Sequence, residues 1–191
     1  MPNVTVTEQI ATNAQVGDAG KELLKDDLTP AAYLKLLTEK ALFKDALMFF
    51  GHAVPIDVSV QWAVNCIKEF QPKDQPAPKP SDPLPLCERW LGTRSDNDRF
   101  EANKSAKKAG LSSPAGMLAM AVFLAGKSMT PEGAPPAPPP PFAAEKMAAS
   151  AVRIAVLKAA PDKTTENYNR ALEIGKQVAK SKGVPFFATA G

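Results

Sequence analysis

Residues Ser113–Ala160 read SPAGMLAMAVFLAGKSMTPEGAPPAPPPPFAAEKMAASAVRIAVLKAA, and they decide the fold class. The first part, Pro114–Ala125, carries no charge. Pro114 suits a first helical turn, where its missing N–H is not needed. Ser113 supplies an N-cap oxygen, and Gly126 is expected to stop the helix with φ > 0. A helix apolar all round is either buried on every side or in a membrane. Twelve residues at ~1.5 Å each reach about 18 Å, short of the roughly 30 Å of a bilayer core. The segment therefore reads as a central core helix. The second part, Phe142–Ala160, places Lys146, Ser150 and Arg153 on one narrow stripe at helical spacing. Nearly everything else in it is apolar, which predicts a wide buried face.

Between them runs Pro135-Pro136-Ala137-Pro138-Pro139-Pro140-Pro141. Such a run is stiff, extended and free of internal hydrogen bonds. It reads first as a rigid strap between two core helices, pinned by both and so not free to be bound. The other reading is a PxxP ligand for an aromatic groove. Seven residues at ~3.1 Å cover about 22 Å. That would carry the chain back along the preceding helix and set the two helices parallel.

Outward from this stretch the pattern stays helical. Thr29-Pro30 opens a helix with Tyr33, Leu34, Leu36 and Leu37 inward. A second runs from Leu42 to about Gly51. Pro55 opens a third, with Ile56, Val60, Ala63, Ile67 and Phe70 on one face and Trp62 and Cys66 beside it. Short connections make these neighbours antiparallel. Residues 71–82 are expected as a Pro-rich surface loop. Asp82-Pro83 starts a short helix with Leu84, Cys87 and Leu91 inward and Trp90 on its flank. Asp96 is expected to cap a polar helix, Asn97–Ala109, whose only apolar contacts are Phe100 and three alanines. Thr164 or Thr165 opens the last helix, which Gly183 ends. The fold expected is all-α: seven to eight helices in stacked antiparallel pairs, with the strap over residues 127–141. Residues 1–28 are expected as a loose arm with room for a short helix before Lys25, 29–183 as one helical domain, and 184–191 as a tail.

The chemistry the chain lacks narrows its function. Two cysteines, Cys66 and Cys87, are no disulfide framework in 191 residues, so a reducing cytoplasm is the expected compartment. The one histidine, His52, sits at a helix end and reads as structural. No CxxC, phosphate-binding glycine loop or paired-carboxylate signature is present, and neither a cofactor nor a metal is expected. Residues 1–70 carry 6 basic against 9 acidic side chains, and residues 142–191 carry 8 against 4. Neither end has the dense basic patch of a nucleic-acid binder. No membrane insertion is expected.

The succession of Ala-rich helix, strap ending in four prolines and Ala-rich helix resembles a family of uncharacterised bacterial proteins. Thr29–Leu34, Asp45–Pro55 and Val60–Ala63 resemble that family's N-terminal half. Members carry a basic–acidic cluster before paired tryptophans there. Here Ile56-Asp57-Val58 replace the cluster, and Gln61 stands where the first Trp is usual. The resemblance covers roughly residues 29–160. It implies a bacterial helical protein encoded near type VI secretion genes, and it carries no catalytic residue over.

The expected function is therefore a non-catalytic interaction protein, an adaptor or chaperone-like component, with a protein partner and room for homo-oligomers. Candidate partner-binding residues are Phe186 and Phe187 in the tail, Lys104, Lys107 and Lys108 on the polar helix, and Trp90. For the lysines the reading preferred is a solvated helix face, and for the phenylalanines folding back onto the core. The rival is a helical enzyme or small-ligand binder with an interhelical pocket.

Overall fold

The computed structural model describes residues 4–72 and 76–187. Among them the chain is all-helical: α1 Val6–Asn13, α2 Asp18–Lys21, α3 Pro30–Glu39, α4 Phe43–Ala53, α5 Ile56–Phe70, α6 Pro83–Thr93, α7 Asp96–Ala109, α8 Pro114–Leu124, α9 Ala143–Lys158 and α10 Thr164–Ser181, with 3₁₀ turns at Pro161–Lys163 and Pro185–Phe187. The seven to eight helices expected from the sequence correspond to α3 to α10. Proline starts three of them, with Thr29 and Ser113 accepting hydrogen bonds from the N–H groups of Ala32 and Gly116. The polar helix α7 is capped by Ser95, one residue before the Asp96 expected there.

The N-terminal stretch is not a loose arm, although the short helix allowed for it before Lys25 is present as α1. Residues 5–24 form α1, α2 and their turns, and Ile10, Ala11, Ala14 and Val16 are buried in the common core. Thr5 and Glu8 make a capping box that starts α1. The Asp45 carboxylate of α4 accepts from the Gly17 N–H, and the Tyr33 hydroxyl donates to the Gly20 carbonyl at 2.8 Å. Burial, with Asp45 nearby, pushes the Tyr33 phenol up to about 12. The polar composition of this stretch hid the docking of its short helix on the core, because the apolar face is only a few residues wide.

One core takes residues from Ile10 to Phe187. No residue of α8 is exposed, so it is the central helix its composition demands. The exposed stripe of α9 holds Lys146 and Arg153, with Leu157 continuing it. The start of α8 and the end of α9 line one cleft, while Leu124 and Ala125 share a hollow with Ala143 and Ala144. The two helices are therefore antiparallel, not parallel. The chain reverses earlier than expected: the Met129 N–H donates to the Ala137 carbonyl at 2.7 Å, and the Ala137 N–H to Ser128 Oγ at 3.1 Å. Only Pro138–Pro141, about 12 Å of polyproline, is left to bridge from that turn to α9. Nor is the run pinned between helices. Pro138, Pro140 and Pro141 are exposed.

Small residues let helices meet closely. A Cβ on Gly51 of α4 would lie 2.9 Å from the Ala149 Cβ of α9, and one on Gly175 of α10 would lie 2.7 Å from the Phe50 ring. Trp62 packs edge-on against Phe50 and donates its indole N–H to the Ala171 carbonyl at 2.7 Å. Gly175→Leu should therefore overpack the α4–α5–α10 junction by about 1–3 kcal/mol. The thermal midpoint should drop by roughly 2–12 °C at about 2–4 °C per kcal/mol. An unchanged midpoint in a melting experiment would show that the junction is looser than described.

Candidate functional site

Two helices that begin with proline, α6 and α8, and the proline-rich loop after α5 meet where α5 and α9 end, and they enclose a cleft of about 920 Å³. Pro72, Pro76 and Pro78 of the loop form one wall; Pro83 and Pro85 of α6 and Pro114 of α8 form the others. The floor is apolar, from Ile67 and Phe70 of α5, Ala115 of α8 and Ala155 of α9. Charge is confined to the rim. Lys68 pairs with Glu88 across α5 and α6, the Asp82 carboxylate accepts from the Lys79 N–H at 2.7 Å, and Lys158 ends α9. The Ser113 hydroxyl is engaged with the Gly116 N–H at the start of α8. None of the described lining residues is Cys, His or Tyr. Such a cleft offers shape and apolar surface.

The residues singled out from the sequence do not line this cleft. Trp90 is only 4 % exposed, and its ring lies under the Arg94 guanidinium at 4.6 Å. It is core, because α6 buries Leu84, Leu86, Cys87 and Trp90 together rather than a narrow face. Phe187 is 6 % exposed and packs against Phe50 with ring centroids 5.2 Å apart, so it too is core; Phe186 beside it is 38 % exposed. Lys104 pairs with Glu101 at 2.7 Å. Lys104 and Lys108 border a shallower groove of about 550 Å³ between α6 and α7, with Arg89 across it, while Lys107 is exposed outside its lining.

A model of a family of unknown function (DUF6931) matches residues 33–179, from α3 to near the end of α10. The chain belongs to this family. An uncharacterised family is what the proline strap and its flanking helices led us to expect, and the match extends beyond residue 160 into α10. No curated protein and no solved structure matches the chain significantly.

Both cysteines are buried and the histidine is half-buried. Cys66 and Cys87 are free thiols with no exposure, and burial pushes both well above the ordinary thiol range. His52 Nδ1 lies 2.8 Å from the Met48 carbonyl, which can only accept, so that nitrogen carries the proton. Burial holds the ring below its usual range, which keeps it neutral near pH 7. Among the described residues no group of three His, Cys, Asp or Glu side chains could hold a metal ion.

The side chains that the sequence pattern missed lie on α7. Asp98 and Arg99 are buried on the helix read as the most solvated. Asp98 accepts from the Thr93 hydroxyl, from Arg89 Nε at 2.6 Å, and stands one turn from its Ser95 cap. The Thr93 hydroxyl, then Arg89, hold its carboxyl below the usual carboxylate range. The spacing Arg89–Thr93–Ser95–Asp98 across a tight α6–α7 turn was the available signal. A carboxyl depressed in the fold stabilises above its unfolded value, about 3.9, and that stability is lost as pH falls through the folded value. Asp98→Asn should cost about 1–2 kcal/mol at pH 7, Arg89 being half in water, and should flatten the stability curve below about pH 4. Urea titrations giving parallel acid limbs for both proteins would exclude this role.

Proposed function

We propose that this protein is a non-catalytic interaction protein, an adaptor- or chaperone-like component, whose proline-walled cleft receives a segment of a partner protein. The observation that carries the reading is the wall itself. Six prolines surround an apolar floor, with charge only at the rim. A wall of prolines has little freedom to lose, so a partner meets a surface whose ordering cost is already met by folding. Two buried free thiols fit a reducing cytoplasm. Service to a bacterial type VI secretion apparatus is part of the proposal, and it rests on the resemblance noted in the sequence rather than on geometry. A second copy of the chain is one partner this cleft could take.

One observation favours a second reading, that of a helical small-ligand binder. The cleft volume falls within the roughly 300–1,000 Å³ usual for small-molecule sites, and its floor is apolar.

Affinity purification from the native host with neighbouring genes intact, using the wild-type chain and Ala115→Trp, tests both. The tryptophan fills the cleft from the first turn of α8. A stoichiometric protein partner should be kept by the wild type and lost by the variant at an unchanged melting temperature. Identical protein profiles from the two chains would rule out the cleft as the partner site. A small molecule seen by native mass spectrometry on the wild type alone would favour the second reading.

A further inference from the structure

We propose that Pro135–Phe142 is a preformed polyproline ligand, held out for an aromatic-lined groove on a partner protein. The conformation follows from the residues. Proline fixes its own φ, and a residue before proline is kept from the helical region. That condition holds for Ala134, Pro135 and each residue from Ala137 to Pro140. Residues 135–140 accordingly form no helix or turn. With three residues per turn, Pro135, Pro138 and Pro141 fall on one edge, as two successive PxxP steps. All three are exposed, while Ala137 and Pro139 are half-buried.

The run is also fixed at both ends. Thr130 donates its hydroxyl proton to the Pro135 carbonyl at 2.7 Å, Met129 N–H meets the Ala137 carbonyl, and the Ala143 N–H meets the Pro140 carbonyl. The carbonyls of Pro136, Pro138 and Pro139 enter no hydrogen bond among the described residues. They are the acceptors that the indole and phenol donors of an aromatic groove use. No charged residue occurs from Gly133 to Ala144. An edge of this kind is read by rings and not by ion pairs.

Phe142 closes the run in a way that packing alone does not call for. Its φ is 58°, in the left-handed region, yet it is an aromatic residue and 47 % exposed. Strain of that sort gathers at functional positions. Beside it a hollow of about 200 Å³ opens between Pro139–Pro141 and Leu124. This edge lies at the opposite end of α8 from the cleft, so the inference stands apart from the reading of the cleft.

The test is calorimetric titration of the full chain with a panel of purified SH3, WW and EVH1 domains, used as readers of polyproline geometry. At least one domain should bind saturably. Pro138→Ala/Pro141→Ala and, separately, Phe142→Gly should each weaken that binding at least about tenfold, as loss of a central contact does. Phe142→Gly relieves a left-handed φ, so a loss of binding at an equal or higher melting temperature cannot be ascribed to unfolding. Ala115→Trp should leave the affinity unchanged, which separates this site from the cleft. Should the double variant fail to fold, competition by a synthetic peptide of residues 133–144 decides the same point. No binding by any domain of the panel, or equal affinity in the variants, would overturn the proposal.

Discussion

The Arg99 guanidinium ties the first turn of α7 to the end of α8 and to the connection that follows, and the presentation of the proline run depends on it. It is buried, and it donates to the Phe123 carbonyl at the end of α8, to the Ser128 carbonyl at 2.9 Å, and to Asp96 at 2.8 Å. The rings of Phe100 and Phe123 flank it. A buried charge is tolerated only when its donors are satisfied, and the last carbonyls of a helix are acceptors without partners of their own. The positive charge also suits the C-terminal end of α8. Gly126 is required for a related reason: a Cβ there would overlap the guanidinium. Its φ is not in the left-handed region, so it gives room rather than the helix stop expected of it.

From this point the arrangement of the strap follows. Arg99 fixes Ser128, and the Ser128 hydroxyl receives the N–H groups of Thr130 and Ala137. The turn so closed sends the chain back to the end of α8, and α9 must then run antiparallel to it. The antiparallel pair in turn brings the start of α8 beside the end of α9, where the proline-walled cleft forms. The two candidate interaction surfaces are thus opposite ends of one helix pair.

The fold was legible in the sequence where its signals were one-sided. An uncharged run with a proline start, as in Pro114–Leu124, has one physical solution, and α3, α4 and α5 were equally plain from their starts and apolar faces. What could not be read were effects that need two distant residues at once. Arg99 and Asp98 look like solvent residues on a polar helix until Phe123, Ser128 and Arg89 come within reach. The parallel setting of α8 and α9 failed because length alone cannot show that Ser128 and Ala137 meet. Trp90 and Phe187 were eligible for a surface role only while their neighbours Arg94 and Phe50 were unplaced. The cleft was invisible for the same cause: its prolines come from three separate stretches.

The most direct measurement of this dependence is native-state hydrogen exchange at Met129 and Ala137, whose N–H groups close the base of the strap. In the wild-type chain both amides should be protected well above the exposed loop residues around them. In Arg99→Lys, which keeps the charge but loses the forked donors, their protection should fall by at least about tenfold while α5 amides keep theirs. Equal protection of the two amides in both proteins would contradict the account, because the strap would then be held without the arginine.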